Sequence, residues 1–302
     1  MNPALTLSDL GRWPHGGTSL AVIGHPIAHS VSPQMHNAAL AGLAQADPRF
    51  GSWRYSAFDV EPERLAEALD LMRSRGFRGV NLTVPHKVIA VGLVGGVDRD
   101  GSDAGAVNTL LLEGPAWRGF NTDGYGLAAG IREDLGLSLR GASVLLLGAG
   151  GAARGAAAEC LRAGCSALLV LNRTAASLAA MLAQIAPIAP DIERRAIAPG
   201  GRERLPAGTI VINATSSGLK PGDTPPASLA DFPGAAAVYD MVYNPAQTLL
   251  LREAKSLGIP HANGLGMLVH QGAKALEIWT GVAAEKLAPP MRAAASKALG
   301  YG

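Results

Sequence analysis

Short aliphatic runs alternate with longer stretches of helical periodicity along nearly all of the 302 residues. "SLAVIG" (19–24) reads as a buried strand. "SPQMHNAALAGLA" (32–44) reads as a helix with Ser32 at its N-cap and Pro33 in its first position. "RYSAFDV" alternates with strand period, "PERLAEALDLMRSRG" is helical with a glycine stop, and "GVNLTV" is the next strand. A second series starts at 142 with "ASVLLLG", "AARGAAAECLRAG", "ALLVLN" and "AASLAAMLAQIA", and continues with "TIVINAT", "AAAVYDMV" and "TLLLREAKSLG". Strands alternating with helices predict an α/β chain with parallel sheets built from βαβ units. The Gly-rich "GFNTDGYG" (119–126) falls between the two series and marks a domain seam. The length agrees with about two domains.

Composition narrows this picture. Hydrophobic residues are 48% and aromatics 5%, so the cores are aliphatic. The net charge of +2, without any basic run, argues against a nucleic-acid partner. The first residues lack the basic and apolar regions of a secretory signal, and no apolar stretch is long enough for a membrane span. Cys160 and Cys165 lie too close for a comfortable disulfide and are expected as free thiols in a reducing cytoplasm. His25, His29 and His36 match no zinc spacing and have no carboxylate among them, so no metal is expected.

Chemistry concentrates at the ends of the predicted strands. In "NLTVPHK" (81–87), Val84-Pro85 closes a strand and puts Lys87 at its carboxyl end, the rim where open parallel sheets bind ligands. "GHPIAHSVSP" sets Ser30 and Ser32 at a helix start, where hydroxyls and the helix dipole can hold a carboxylate. Asp123 sits in "FNTDG" and would orient Lys87 for acid/base work if the two meet. Taken singly, these also fit a solvated lysine, an N-cap serine and a turn-forming aspartate.

"ASVLLLGAGGAARG" places a glycine-rich turn between an apolar strand and an alanine-rich helix, with Ala153 in the third small position of a dinucleotide fingerprint. The next strand ends in Asn172-Arg173-Thr174 instead of an acidic residue. That favours a 2′-phosphate and hence NADP(H).

Together, "VIGHPIAHSVSP", "GVNLTVPHK", "AGAVNTL", "FNTDG", "LLGAGGAARG", "LNRT", "VINATSSGL", "YDMVYNP" and "NGLGMLVHQGAKALEIWTG" resemble the shikimate dehydrogenase family nearly end to end. The family reduces 3-dehydroshikimate with NADPH on the route to aromatic amino acids. The resemblance implies an N-terminal α/β/α substrate-binding domain (1–122 with 263–302), an inserted Rossmann NADP-binding domain (123–262) and a C-terminal helical return. It implies Lys87 as acid/base group with Asp123 as partner, and Ser30, Ser32 and Tyr243 at the substrate carboxylate. Asn81, Thr83, Asn108 and Gln271 take the ring hydroxyls and carbonyl. For the cofactor it implies Gly148, Ala149, Gly150, Gly151 and Ala152, then Asn172, Arg173 and Thr174, and then Thr215, Ser216, Met241 and Gly264. His270, on the other face of its helix, is left to packing.

Two departures stand out. Family members using NADP often carry a second arginine after Asn-Arg-Thr, and positions 176 and 177 hold none. The usual Thr-Pro-Leu reads Thr248-Leu249-Leu250. The alternatives are a quinate/shikimate dehydrogenase using NAD(P), or a non-catalytic NADP-binding sensor. The expected partner is a small molecule, with the chain a monomer or homodimer.

Overall fold

A computed structural model describes residues 4–14, 16–220 and 222–301. The chain divides into two compact units, Met1–Thr122 with Gln271–Gly302, and Asp123–His270.

The first unit carries strands β1 (Leu5–Thr6), β2 (Ser19–Gly24), β3 (Arg54–Asp59), β4 (Phe77–Leu82), β5 (Gly96–Val97), β6 (Thr109–Glu113) and β7 (Ala116–Phe120). Between them lie α1 (Leu7–Gly11), α2 (Ser32–Ala46), α3 (Leu65–Ser74), α4 (His86–Ile89) and α5 (Arg99–Ala104). Its sheet has the order β1-β3-β2-β4-β6-β7-β5. β1 to β4 are parallel, so their carboxyl ends share one rim, and β6 runs antiparallel to β4. One face packs Ile23, Phe58 and Val80 against Leu65, Leu69 and Met72 of α3.

The second unit carries α6 (Asp123–Leu135), α7 (Gly151–Arg162), α8 (Ala175–Ile185) and α9 (Leu249–Ser256). Its strands are β8 (Ser143–Leu147), β9 (Ala167–Leu171), β10 (Glu193–Ile197), β11 (Thr209–Asn213), β12 (Ala235–Asp240) and β13 (His261–Asn263). They form a fully parallel sheet, β10-β9-β8-β11-β12-β13. This doubly wound order reverses between β8 and β11, where such sheets bind dinucleotides. Alternate residues serve opposite faces. Val144, Leu146, Leu168 and Ile210 meet α6, α7 and α8, while Leu145, Leu147, Val211 and Val238 meet α9. Strands covered on both sides read as unbroken aliphatic runs, the pattern seen in the sequence.

α10 (Leu265–Thr280) and α11 (Ala284–Leu299) complete the chain. The return comes inside α10, at Gln271, and not at residue 263. The first turn of α10 is held in the second unit, where Met267 N–H donates to Tyr239 Oη (2.9 Å). Its last turns belong to the first. There Trp279 lies buried across β4 and β6, donating from Nε1 to the Leu110 carbonyl (2.9 Å). Gly79 is what admits the indole, because a Cβ at that position would stand 2.1 Å from Nε1. α11 packs on α2.

The segment "ADPRFGSW" is a short 3₁₀ turn, Pro48–Phe50, capped by Asp47 and held by buried Phe50, edge-on to Trp53. Cys160 and Cys165 are free thiols in the α7 core. Burial pushes Cys165 up to about 11 and Cys160 well above its usual value, so neither is a thiolate near neutral pH. Among the described residues no helix is long and apolar enough to cross a membrane.

Candidate active site

Ser30, Ser32, Asn81, Thr83, Lys87, Asn108 and Gln271 all fall in the first unit. The parallel strands explain why. Ser30 and Ser32 follow β2, whereas Thr83 and Lys87 follow β4, its neighbour, at the same end. The N–H of Thr83 donates to the Ile23 carbonyl (2.9 Å), and the Val107 N–H donates to the Lys87 carbonyl (2.9 Å). The lysine backbone is therefore anchored where the strand stops, and its side chain is half-buried.

Ser32 is not the N-cap of α2. That place is taken by Val31, and no side chain caps the helix. Ser32 and Pro33 are the first two helical residues, which leaves the Ser32 hydroxyl without a capping duty. Ser30 Oγ instead accepts from the Ser32 N–H (3.3 Å). Asp59 steadies this loop from β3, accepting from the Ile27 N–H (3.3 Å) and pairing with His25 Nδ1 (2.6 Å).

Asn81 and Asn108 are buried and heavily engaged. Asn81 Nδ2 donates to Thr109 Oγ1 (2.9 Å) and to the Asn108 carbonyl (3.1 Å). Asn108 Oδ1 accepts from the Thr122 N–H (2.9 Å), and its Nδ2 donates to Thr122 Oγ1 (3.0 Å) and Gln271 Oε1 (3.4 Å).

Two of the histidines considered for a metal, His25 and His36, have separate surroundings. His25 pairs with Asp59, while His36 is fully buried in α2 and donates from Nδ1 to the Ser32 carbonyl (2.9 Å). Burial lowers His36 to about 4, the Ser32 carbonyl opposing weakly. The unfolded group, near 6.5, takes up a proton before the folded one. Stability from this residue is therefore intact above pH 6.5 and lost as pH falls toward 4, by roughly 3 kcal/mol in all. His86, also lowered by burial, adds a component of the same sign. Urea midpoints should fall steeply between pH 6.5 and 4.5, and His36→Phe should flatten that slope by about one proton. An unchanged slope would remove His36 as its source.

In the second unit, Gly148 ends β8 with φ +113°, a left-handed conformation that favours glycine. A Cβ there would approach Thr215 Cγ2 (3.0 Å) and the Ala214 carbonyl (3.2 Å), at the β8–β11 reversal. Gly150, Gly151 and Ala152 are exposed, no side chain caps α7, and nothing stands within 4 Å of a Cβ at 150 or 151. Ala153 is fully buried against the sheet. An open backbone at an uncapped helix start fits a pyrophosphate. Asn172 Nδ2 donates to the Thr174 carbonyl (2.8 Å) and closes the turn that displays Arg173. Arg173 is exposed and forms no ion pair among the described residues.

One buried carboxylate ties the other rim loops together. Asp240 accepts from Asn213 Nδ2 (2.9 Å), the Val242 N–H (3.0 Å) and Thr248 Oγ1 (2.6 Å). Asn213 Oδ1 in turn accepts from the N–H (3.0 Å) and hydroxyl (2.8 Å) of Thr215. Gly264 passes so close to Met241 that a Cβ would lie 2.1 Å from its carbonyl oxygen. Thr215, Met241 and Gly264 are thus fixed, with Ser216 exposed beside them. Asp123 begins α6 and Tyr243 follows β12, both in this unit. His270 faces Glu133.

The profile of the shikimate dehydrogenase substrate binding domain matches residues 22–110, and that of the shikimate 5′-dehydrogenase C-terminal domain matches 264–295. A shikimate dehydrogenase (NADP(+)) of Symbiobacterium thermophilum is 39% identical over 271 residues, 88% of this chain and 90% of the relative. The chain belongs to the shikimate dehydrogenase family. Among solved structures, shikimate 5-dehydrogenase of Thermus thermophilus, in complex with NADP(H) and shikimate, superposes with a TM-score of 0.79. It is 38% identical, with 93% of this chain and 100% of that one covered. A 5-ketofructose reductase of a Gluconobacter species superposes equally well (TM-score 0.80, 32% identity, 93% and 99% covered). The fold therefore serves more than one ketone, and the site residues must decide between them.

Proposed function

We propose that this protein is an NADP-dependent shikimate dehydrogenase that reversibly reduces 3-dehydroshikimate to shikimate. The observation that carries the reading is the set of Ser30, Ser32, Asn81, Thr83, Lys87, Asn108 and Gln271 in one compact unit, on the rim of its sheet and in the helix that returns to it. The first unit holds the substrate and the second the dinucleotide. Ser30 and Ser32, with Tyr243, take the substrate carboxylate, and the amides and Thr83 take the ring oxygens. The cofactor lies along Gly148 to Ala152, with Asn172, Arg173 and Thr174 at the adenosine end and Thr215, Ser216, Met241 and Gly264 at the nicotinamide end. When bound there, the dinucleotide supplies a hydride to the carbonyl carbon. Lys87 donates a proton to the carbonyl oxygen and stabilises its negative charge, with Asp123 as the assisting carboxylate.

Initial rates with shikimate and with quinate, each against NADP+ and NAD+, test this. Shikimate with NADP+ is expected to give the highest kcat/KM, by at least about tenfold over any other pair. Equal or better turnover of quinate would move the chain to the quinate branch. Cofactor binding without turnover of either would return it to a sensor.

A further inference from the structure

Two residues outside the predicted site join its parts. Tyr55 of β3 is buried, and its hydroxyl donates to Asn81 Oδ1 (2.7 Å). Its ring stacks on His36, centroids 3.9 Å apart and planes 10° from parallel. His36 holds the Ser32 carbonyl on one side. On the other it presses on Gly272, the neighbour of Gln271, where a Cβ would lie 3.2 Å from the imidazole Cε1. From Asn81 the chain of contacts runs through Asn108 to Gln271 and so back to His36. The circuit is closed, and Ser32, Asn81, Asn108 and Gln271 are all on it.

We infer that Tyr55 and His36 are positioning residues that set the spacing and orientation of Ser32 and Asn81 for the substrate. The inference rests on the proposed substrate roles of those two residues. Both N–H groups of Asn81 are spent within the protein and its oxygen already accepts from Tyr55. Asn81 therefore meets a ring hydroxyl only as an acceptor, through its remaining lone pair. The Tyr55 hydroxyl holds Asn81 while its ring stacks on the histidine that holds the Ser32 carbonyl, and so couples the carboxylate end of the substrate to its hydroxyl face. The ring stack keeps that hydroxyl in place, and the absence of a Cβ at Gly272 allows the stack to fit.

Tyr55→Phe keeps the ring and removes only the hydroxyl. It should raise KM for shikimate about tenfold, with kcat within about threefold and NADP+ affinity unchanged. KM does not depend on the fraction of active protein, so partial unfolding cannot imitate this split. In a Ser32→Ala background the same substitution should raise KM by less than about threefold, because the coupling is already lost. His36→Asn, which keeps a donor toward the Ser32 carbonyl but loses the stack, should shift KM in the same direction. Wild-type KM in both Tyr55→Phe and His36→Asn, or full additivity with Ser32→Ala, would overturn the inference. Absence of shikimate turnover in the wild type would instead overturn the reading beneath it.

Discussion

Replacing Lys87 with methionine should lower kcat roughly a thousandfold while KM for shikimate stays within about threefold. Methionine keeps the length and apolar stem of the side chain, so what is removed is the charge and the transferable proton. Proton transfer by a positioned group contributes about 10²- to 10⁴-fold, and a fixed positive charge at a developing alkoxide adds to it. Both act in the transition state far more than on bound substrate, so the loss belongs in kcat. Lys87→Arg separates the two contributions. Arginine keeps the charge but does not give up a proton near neutral pH, so a partial recovery over methionine measures the electrostatic part alone. The fold should not suffer, because the anchor is the Lys87 carbonyl, which accepts from Val107 whatever the side chain. Dinucleotide affinity, measured by fluorescence titration, should be unaffected. A Lys87→Met protein within tenfold of wild-type kcat would remove Lys87 from the chemistry.

The parts of this protein that the sequence displayed are those where one physical demand dominates. β8, β9 and β11 are covered on both faces, so their central residues form unbroken aliphatic runs. The glycine turn at 148–151 was legible because Gly148 takes a left-handed conformation that favours glycine, directly between an apolar strand and a helix. Edge elements were not. β10 carries "ERRAI" with a single fully buried residue, and β13 is three half-buried residues, so neither shows an apolar pattern. Ser32 was misplaced by one residue because a serine before proline is the usual signature of an N-cap, yet here Val31 holds that position. The contacts of Tyr55 and His36 were hidden for a different reason. A histidine beside Met35, Ala39 and Leu40 signals burial on an apolar helix face. That it stacks on a tyrosine 19 positions away depends on the β3–α2 packing, which no local pattern encodes.

Arg173→Ala should weaken NADP+ binding by roughly 30- to 100-fold and leave NAD+ binding nearly as it was. The reason lies in what surrounds it. Asn172 spends its amide on the Thr174 carbonyl, so it shapes the turn. Positions 176 and 177, where a second cation would stand, are alanine and serine. Arg173 is then the residue in this turn that can pair with a 2′-phosphate, and charge-assisted hydrogen bonds of that kind contribute about 1.5 to 3 kcal/mol. Because the side chain is exposed, the contribution is screened by salt, and NADP+ affinity should fall more steeply with ionic strength than NAD+ affinity. Arg173→Ala should abolish that difference in salt dependence along with the preference. Arg173→Asp goes further, since a carboxylate repels the phosphate and accepts from free ribose hydroxyls, and should turn the preference toward NAD+. Calorimetric Kd values for both dinucleotides at two salt concentrations read all of this directly. If Arg173→Ala keeps the wild-type NADP+/NAD+ ratio, the 2′-phosphate is held elsewhere, and Arg173 is only a surface residue at the end of β9.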